Sequence, residues 1–184
     1  WRYGEEERDC HCVPSVYDFV KPAQSASVRL QNLVAVQSES FFDARVLFAG
    51  IRPEVLREFD SIKASATCQG KLQVPAWGAN TVRTEFAFLS GWEAEHLGVH
   101  RFNPYRKLAR QGISTLAGFL RHQGYRTVCV HPYPASFYAR DVVFPLLGFD
   151  EFIDIRSFEN AEKTGPYIAD VKKKKKVCAL LGES

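Results

Sequence analysis

The sequence predicts an α/β fold with a mostly parallel sheet. Two observations carry this reading. Short apolar, β-branched runs alternate along the chain with segments of helical spacing, and glycines or prolines punctuate the boundaries between them. At 184 residues, the chain is long enough for one substantial core and short for two.

Residues 1–30 mix charge, Pro and Ser without periodicity and read as an irregular lead-in, leaving 31–184 as the folded part. Leu33-Val34-Ala35-Val36 suits a buried strand whose carboxyl end opens into the polar loop Gln37-Ser38-Glu39-Ser40. Between Pro53 and Lys63, apolar residues at Val55, Leu56, Phe59 and Ile62 have helical spacing, with Pro in the first turn. Gly70 to Trp77 reads as a strand or extended segment, and Thr81 to Leu89 as a helix closed by Gly91.

A polar connection over 92–107 leads to a helix at about 113–123, ended by Gly124. Tyr125 to Val130 is a second β-rich run, followed by the turn His131-Pro132-Tyr133-Pro134. Ser136 to Leu147 has helical spacing, with Pro145 limiting its last turn. Phe152 to Ile155 is a short strand, and Ile168 to Leu181 a final helix. In sheets of this kind, sites gather beyond the carboxyl ends of the strands.

Composition excludes several classes. A net charge of +3 is too small to argue for nucleic acid, and no stretch reaches the roughly 18 apolar residues of a membrane helix. The N-terminus, WRYGEEERDC, is not a signal peptide. Methionine is absent even at position 1, so the expectation is a piece of a longer protein with any targeting or membrane segment upstream. Cys10-His11-Cys12 has no second pair at ligand spacing and reads as a terminal segment, not a metal site. The five lysines Lys172 to Lys176 wrap more than one helical turn and read as a solvated surface in preference to a lipid contact.

Three features stand at expected strand ends or helix starts. Glu39, after the first apolar run in VQSESFFD, is placed to bind a hard divalent cation or to be a solvated loop acid. Thr81, in GANTVRTEF, is either an N-cap or a nucleophile. A threonine hydroxyl attacks at neutral pH only with a partner that lowers its pKa, and without one the cap reading wins. In HPYPASFYARD, His131 offers a proton or hydrogen bond, Tyr138 an aromatic wall and Arg140 a fork for a phosphate. The alternative for these three is separate packing and surface roles.

Taken in order, VQSESFFD, GANTVRTEFAFLSG and GYRTVCVHPYPASFYARDVVFPLLGFDEFID resemble the lipoteichoic acid synthase group. These are sulfatase-like phosphoglycerol transferases of the alkaline phosphatase superfamily, and the similarity runs from about Leu33 to Asp170. The resemblance implies an alkaline phosphatase-like three-layer α/β sandwich, of which 31–184 would be the N-terminal portion. It implies one divalent cation, Mn2+ or Mg2+, held by Glu39 and Thr81. Thr81 would attack a phosphatidylglycerol-type lipid, release diacylglycerol, and pass the phosphoglycerol group to a glycan or polymer of the cell envelope. His131, Tyr138 and Arg140 fall on the family's substrate-binding positions, with Tyr138 where Trp is familiar. The implied location is the bacterial cell membrane, with the catalytic part periplasmic or extracellular.

One departure stands out. The family completes its metal site with an Asp-His pair, and this chain contains none, so by itself it is expected to be weakly active or inactive. A phosphodiesterase or phosphoethanolamine transferase of the same superfamily is the near alternative, and a non-catalytic fragment the distant one. A true sulfatase is disfavoured because the Cys/Ser-x-Pro-x-Arg nucleophile motif is missing.

Overall fold

The computed structural model of the chain describes residues 30–38, 41–76, 80–158, 163–165 and 167–182. Glu39, Trp77, the Cys10-His11-Cys12 motif and nearly all of the expected lead-in lie outside the described residues.

Helix and strand alternate as the periodicity predicts. Pro53–Leu56 is a 3-10 turn with Pro at its start, running into α1 (Arg57–Ser65). Helix α2 (Thr81–Ser90) buries Val82, Phe86 and Leu89, an i, i+4, i+7 stripe. Gly91 ends it in the left-handed conformation at φ 71°, its N–H donating to the Ala87 carbonyl at 2.8 Å. The connection that follows is a chain of 3-10 turns over Ala94–Phe102, Pro104–Arg106 and Leu108–Gln111.

Helix α3 (Leu116–His122) starts at Thr115, whose hydroxyl accepts from the Gly118 N–H at 3.0 Å. Strand β1 (Val128–Val130), helix α4 (Arg140–Leu146) and strand β2 (Glu151–Ile153) then form a strand–helix–strand unit. The two strands pair in parallel, with Val128, Cys129 and Val130 opposite Glu151, Phe152 and Ile153. A short antiparallel hairpin, β3 (Lys163–Thr164) with β4 (Tyr167–Ile168), precedes α5 (Asp170–Gly182).

The main core is an aromatic relay between α2 and α4. Phe86 meets Trp92 edge-on at 6.3 Å and Tyr105 at 6.2 Å; Tyr105 meets Phe144 at 6.0 Å, and Phe144 meets Phe152 at 5.0 Å. Edge-to-face contacts at these distances add directional energy to plain burial. A second cluster of Ile153, Phe158 and Ile168 lies on the far side of β2. Two close approaches seat the parallel pair. The Thr127 hydroxyl donates to the Gly148 carbonyl at 2.8 Å, while the Asp150 carboxylate accepts from the Thr127 N–H at 2.9 Å.

Several expectations need correction. Leu33 to Val36 is not a buried strand: the run has no strand pairing and Val36 is 84% exposed. Apolar content alone cannot make a strand, because the ladder needs a neighbour, and among the described residues this run has none. Among the described residues Gly70 to Ala76 joins no sheet, so of the two readings of that stretch only the extended segment stands. The expected helix Ser136–Leu147 is broken, with a 3-10 turn at Phe137–Ala139 and α4 starting only at Arg140. Ile168 belongs to β4, and the last helix begins at Asp170.

Candidate functional site

Strand β1 delivers His131 just beyond its carboxyl end, the side on which α/β sheets place ligands. The His131 N–H donates to the Ile153 carbonyl at 2.9 Å, extending the parallel ladder by one bond. Its ring is half-buried, 6.2 Å from that of Tyr133. Burial pushes the imidazole pKa below its ordinary value and the positive charge of Arg140 pushes it the same way; Glu85 opposes and Lys173 adds a little. The imidazole is therefore neutral at neutral pH, able to donate or accept one proton.

The chain then turns sharply. Tyr138 and Ala139 both take the left-handed conformation, at φ 59° and 53°, with no glycine to ease it. Such a pair costs a few kcal/mol, of order 1–3 per residue, and persists only where the surroundings impose it. The Asp141 N–H donates to the Ala135 carbonyl at 3.2 Å and the Ala139 N–H to the Ser136 carbonyl at 2.9 Å, closing the turn.

This turn sends Arg140 inward. Its side chain is 1% exposed, and it is paired. Nε donates to Glu85 Oε1 at 3.1 Å, Nη2 to Glu85 Oε2 at 3.2 Å, and Nη1 to the Phe137 carbonyl at 3.4 Å. The guanidinium carbon sits 5.3 Å from the Tyr138 ring centre. The Tyr105 hydroxyl donates to Glu85 Oε1 as well. Burial first, then the charge of Glu85 and the hydrogen bond to it, hold that phenol protonated well above its usual range. The Cys129 thiol, pushed up to about 12 by burial and then by Glu85, is likewise neutral.

Thr81 is the first residue of α2 and is half-buried. The N-cap expectation falls one residue early: Asn80 occupies the cap, at φ 76° and ψ 52°, with no side-chain hydrogen bond of its own into the helix. Glu85 follows Thr81 by four positions, so the two share a helix face. Thr81's helix is thereby joined to the loop that carries Tyr138 and Arg140, and His131 lies within the electrostatic reach of the Glu85–Arg140 pair.

Of the residues expected from sequence, Thr81, His131, Tyr138 and Arg140 are described, and Glu39 is not. Glu85 and Tyr105 were missed. The signal for Glu85 was its i+4 spacing from Thr81, which identifies no partner without the fold, and Tyr105 carried no such signal. Among the described residues, no group of three or more His, Cys, Asp and Glu is arranged to hold a metal. Thr81 supplies one hydroxyl oxygen, and Glu85 is already engaged by Arg140 and Tyr105. These donors do not make a divalent-cation site, which needs several free oxygens.

Residues 31–178 match the sulfatase family. The capsular polysaccharide biosynthesis protein RkpI of Rhizobium meliloti (strain 1021) is 34% identical over 139 residues, covering 75% of this chain and 26% of that protein. A protein of the same organism named for cyclic beta-1,2-glucan modification is 29% identical over 150 residues, covering 81% of this chain and 22% of its own length. The crystal structure of the lipoteichoic acid synthase LtaP from Listeria monocytogenes superposes with a TM-score of 0.53 at 24% identity, over 60% of this chain and 26% of that one. The chain thus spans about a quarter of the length of these proteins.

Proposed function

Because the chain belongs to the sulfatase family and carries part of its α/β fold, we propose that it holds the nucleophile-bearing part of a transferase. In this reading, the enzyme moves a phosphoglycerol or related phosphoalcohol group from a phospholipid to a cell-envelope glycan or polymer. One observation carries it: the buried Glu85–Arg140 pair binds the helix that begins at Thr81 to the loop that bears Tyr138 and Arg140. The names of the relatives support a polysaccharide or glucan as acceptor.

Thr81 Oγ forms a bond to phosphorus while the bond from phosphorus to the diacylglycerol oxygen breaks. The threonine hydroxyl loses its proton and the departing oxygen gains one. The acceptor hydroxyl then repeats the exchange and frees Thr81. Neutral His131 holds or passes a proton at the donor head group, Tyr138 walls it, and Arg140, paired with Glu85, fixes their loop against the helix of Thr81. A divalent cation, Mn2+ or Mg2+, would neutralise phosphate charge; its ligands would have to include residues other than those described. A phospholipid donor places the reaction at the bacterial cell membrane, on its periplasmic or extracellular side. No helix among the described residues is long and apolar enough to cross a membrane.

Incubating the full-length protein, of the length of its relatives, with phosphatidylglycerol vesicles and Mn2+, then sequencing the Thr81 peptide by mass spectrometry, tests the reading. A glycerophosphoryl group on Thr81 that disappears with chelator and in Thr81→Ala is the expected result. No adduct, or one that survives Thr81→Ala, sinks it. Adding a glucan acceptor separates a transferase from a phosphodiesterase, which would discharge the adduct to water alone.

A further inference from the structure

Glu85 turns its carboxylate mostly inward. Oε1 accepts from Arg140 Nε and from the Tyr105 hydroxyl, and Oε2 accepts from Arg140 Nη2. Three polar groups therefore converge from α2, from the turn at Pro104–Arg106 and from the start of α4. Stability alone does not call for such a set, since apolar residues of equal volume often serve a core as well as a buried ion pair does.

The backbone around Arg140 does little to direct its side chain. Helix α4 has only seven residues with Pro145 among them, and no side chain caps its start. Two left-handed residues precede it. What sets the guanidinium is Glu85 on one edge, the Phe137 carbonyl on the other nitrogen, and the Tyr138 ring 5.3 Å away. Glu85 in turn stands on the same face of α2 as Thr81, one turn further along.

We propose that Glu85 is the positioning residue of this site, clamping through Arg140 the turn that carries Tyr138 onto the helix that begins at Thr81, and so setting the spacing between the hydroxyl and the wall of the donor site. The inference rests on the phosphoryl-transfer reading above. Glu85 touches no substrate; it acts through Arg140. Phosphoryl transfer depends on positioning, and a misplacement of about 1 Å between the nucleophile and the groups around the phosphate costs on the order of 100-fold in rate. Tyr105 has a lesser part, fixing one oxygen of the carboxylate.

The test measures Thr81 adduct formation from phosphatidylglycerol vesicles by the full-length protein, per folded molecule, in Glu85→Gln, Glu85→Asp, Arg140→Gln and the double variant Glu85→Gln/Arg140→Gln. A drop of about 100-fold in the saturating rate of Glu85→Gln is expected. Glu85→Asp should recover part of it, and the double variant should be no slower than Arg140→Gln alone. Should Glu85→Gln fail to fold, Tyr105→Phe, which leaves both charges in place, should lower the same rate by a smaller factor. Losses that add in the double variant, or rates unchanged per folded molecule, overturn the proposal.

A second arm needs no activity. The Arg140 Nε–H resonance, assigned by its loss in Arg140→Lys, should be protected from solvent exchange in the wild type and lose part of that protection in folded Glu85→Asp. Unchanged protection would overturn the proposal. If the wild type forms no adduct while this arm behaves as expected, the chemical reading has failed and the positioning has not.

Discussion

Glu85 in α2 and Arg140 at the start of α4 lie 55 residues apart in sequence, and their side chains meet through two hydrogen bonds of 3.1 and 3.2 Å. Arg140 is 1% exposed and Glu85 15%, so both charges are largely taken from water and each depends on the other. This contact converts two separate sequence features, the helix after Thr81 and the loop after His131, into one site.

Breaking the pair from one side should be costly. Arg140→Ala leaves Glu85 buried without its counter-charge and should destabilise the fold by about 3 kcal/mol, the low end for such losses because Glu85 keeps some water. Replacing both residues together, Glu85→Leu with Arg140→Met, should regain at least half of that. Urea denaturation of the single and double variants measures both.

Stability should fall on mild acidification through His131. The unfolded imidazole titrates near 6.5 and the folded one lower, because of burial and then Arg140. Between those two values the unfolded chain binds more protons, so lowering the pH favours unfolding. Among the described residues, the charges that act on His131 are those of Arg140, Glu85 and Lys173. The stability difference between wild type and His131→Gln should be flat above about pH 7 and shift against the wild type below 6.5. Chemical denaturation as a function of pH gives the curve.

Gly148 should tolerate no side chain. It lies at φ 94°, and a Cβ there would come within 2.5 Å of the Gly118 backbone nitrogen and Cα. Gly148→Ala combines left-handed strain with a backbone clash and should cost about 2–4 kcal/mol. Thermal melting is the measurement, with Gly112→Ala as a control whose Cβ meets nothing and which carries the strain alone.

Thr115 should matter for its hydroxyl and not for its bulk. Its oxygen caps Gly118 and donates to the Leu147 carbonyl, tying the start of α3 to the end of α4. Thr115→Val keeps the volume but loses the cap and leaves a buried carbonyl without its donor, at about 2 kcal/mol. Thr115→Ser should restore most of the stability.

The sequence by itself determined the elements whose signals are local. The stripe of Val82, Phe86 and Leu89 with Gly91 behind it dictates α2, and the β-branched Val128 and Val130 before a Pro-rich turn dictate β1. It also determined the order of blocks that resembles a sulfatase-like group, and the match over 31–178 bears out the sulfatase family. The strand expected at Leu33 to Val36 was not determined locally, because a strand exists only through the hydrogen bonds of a neighbour.

Tertiary structure alone decided which charges meet. Nothing in Thr81's own neighbourhood announces that Glu85 will be met by a guanidinium 55 residues later, or that Tyr105 will close the set. Side-chain pairing across a core depends on how helices pack, and a helical period says which face is buried but not what the opposite wall contains. Arg140 reads in sequence as a free fork for phosphate; in the fold its Nε and Nη2 are held by Glu85. That difference is a matter of three-dimensional distance, which local sequence does not encode.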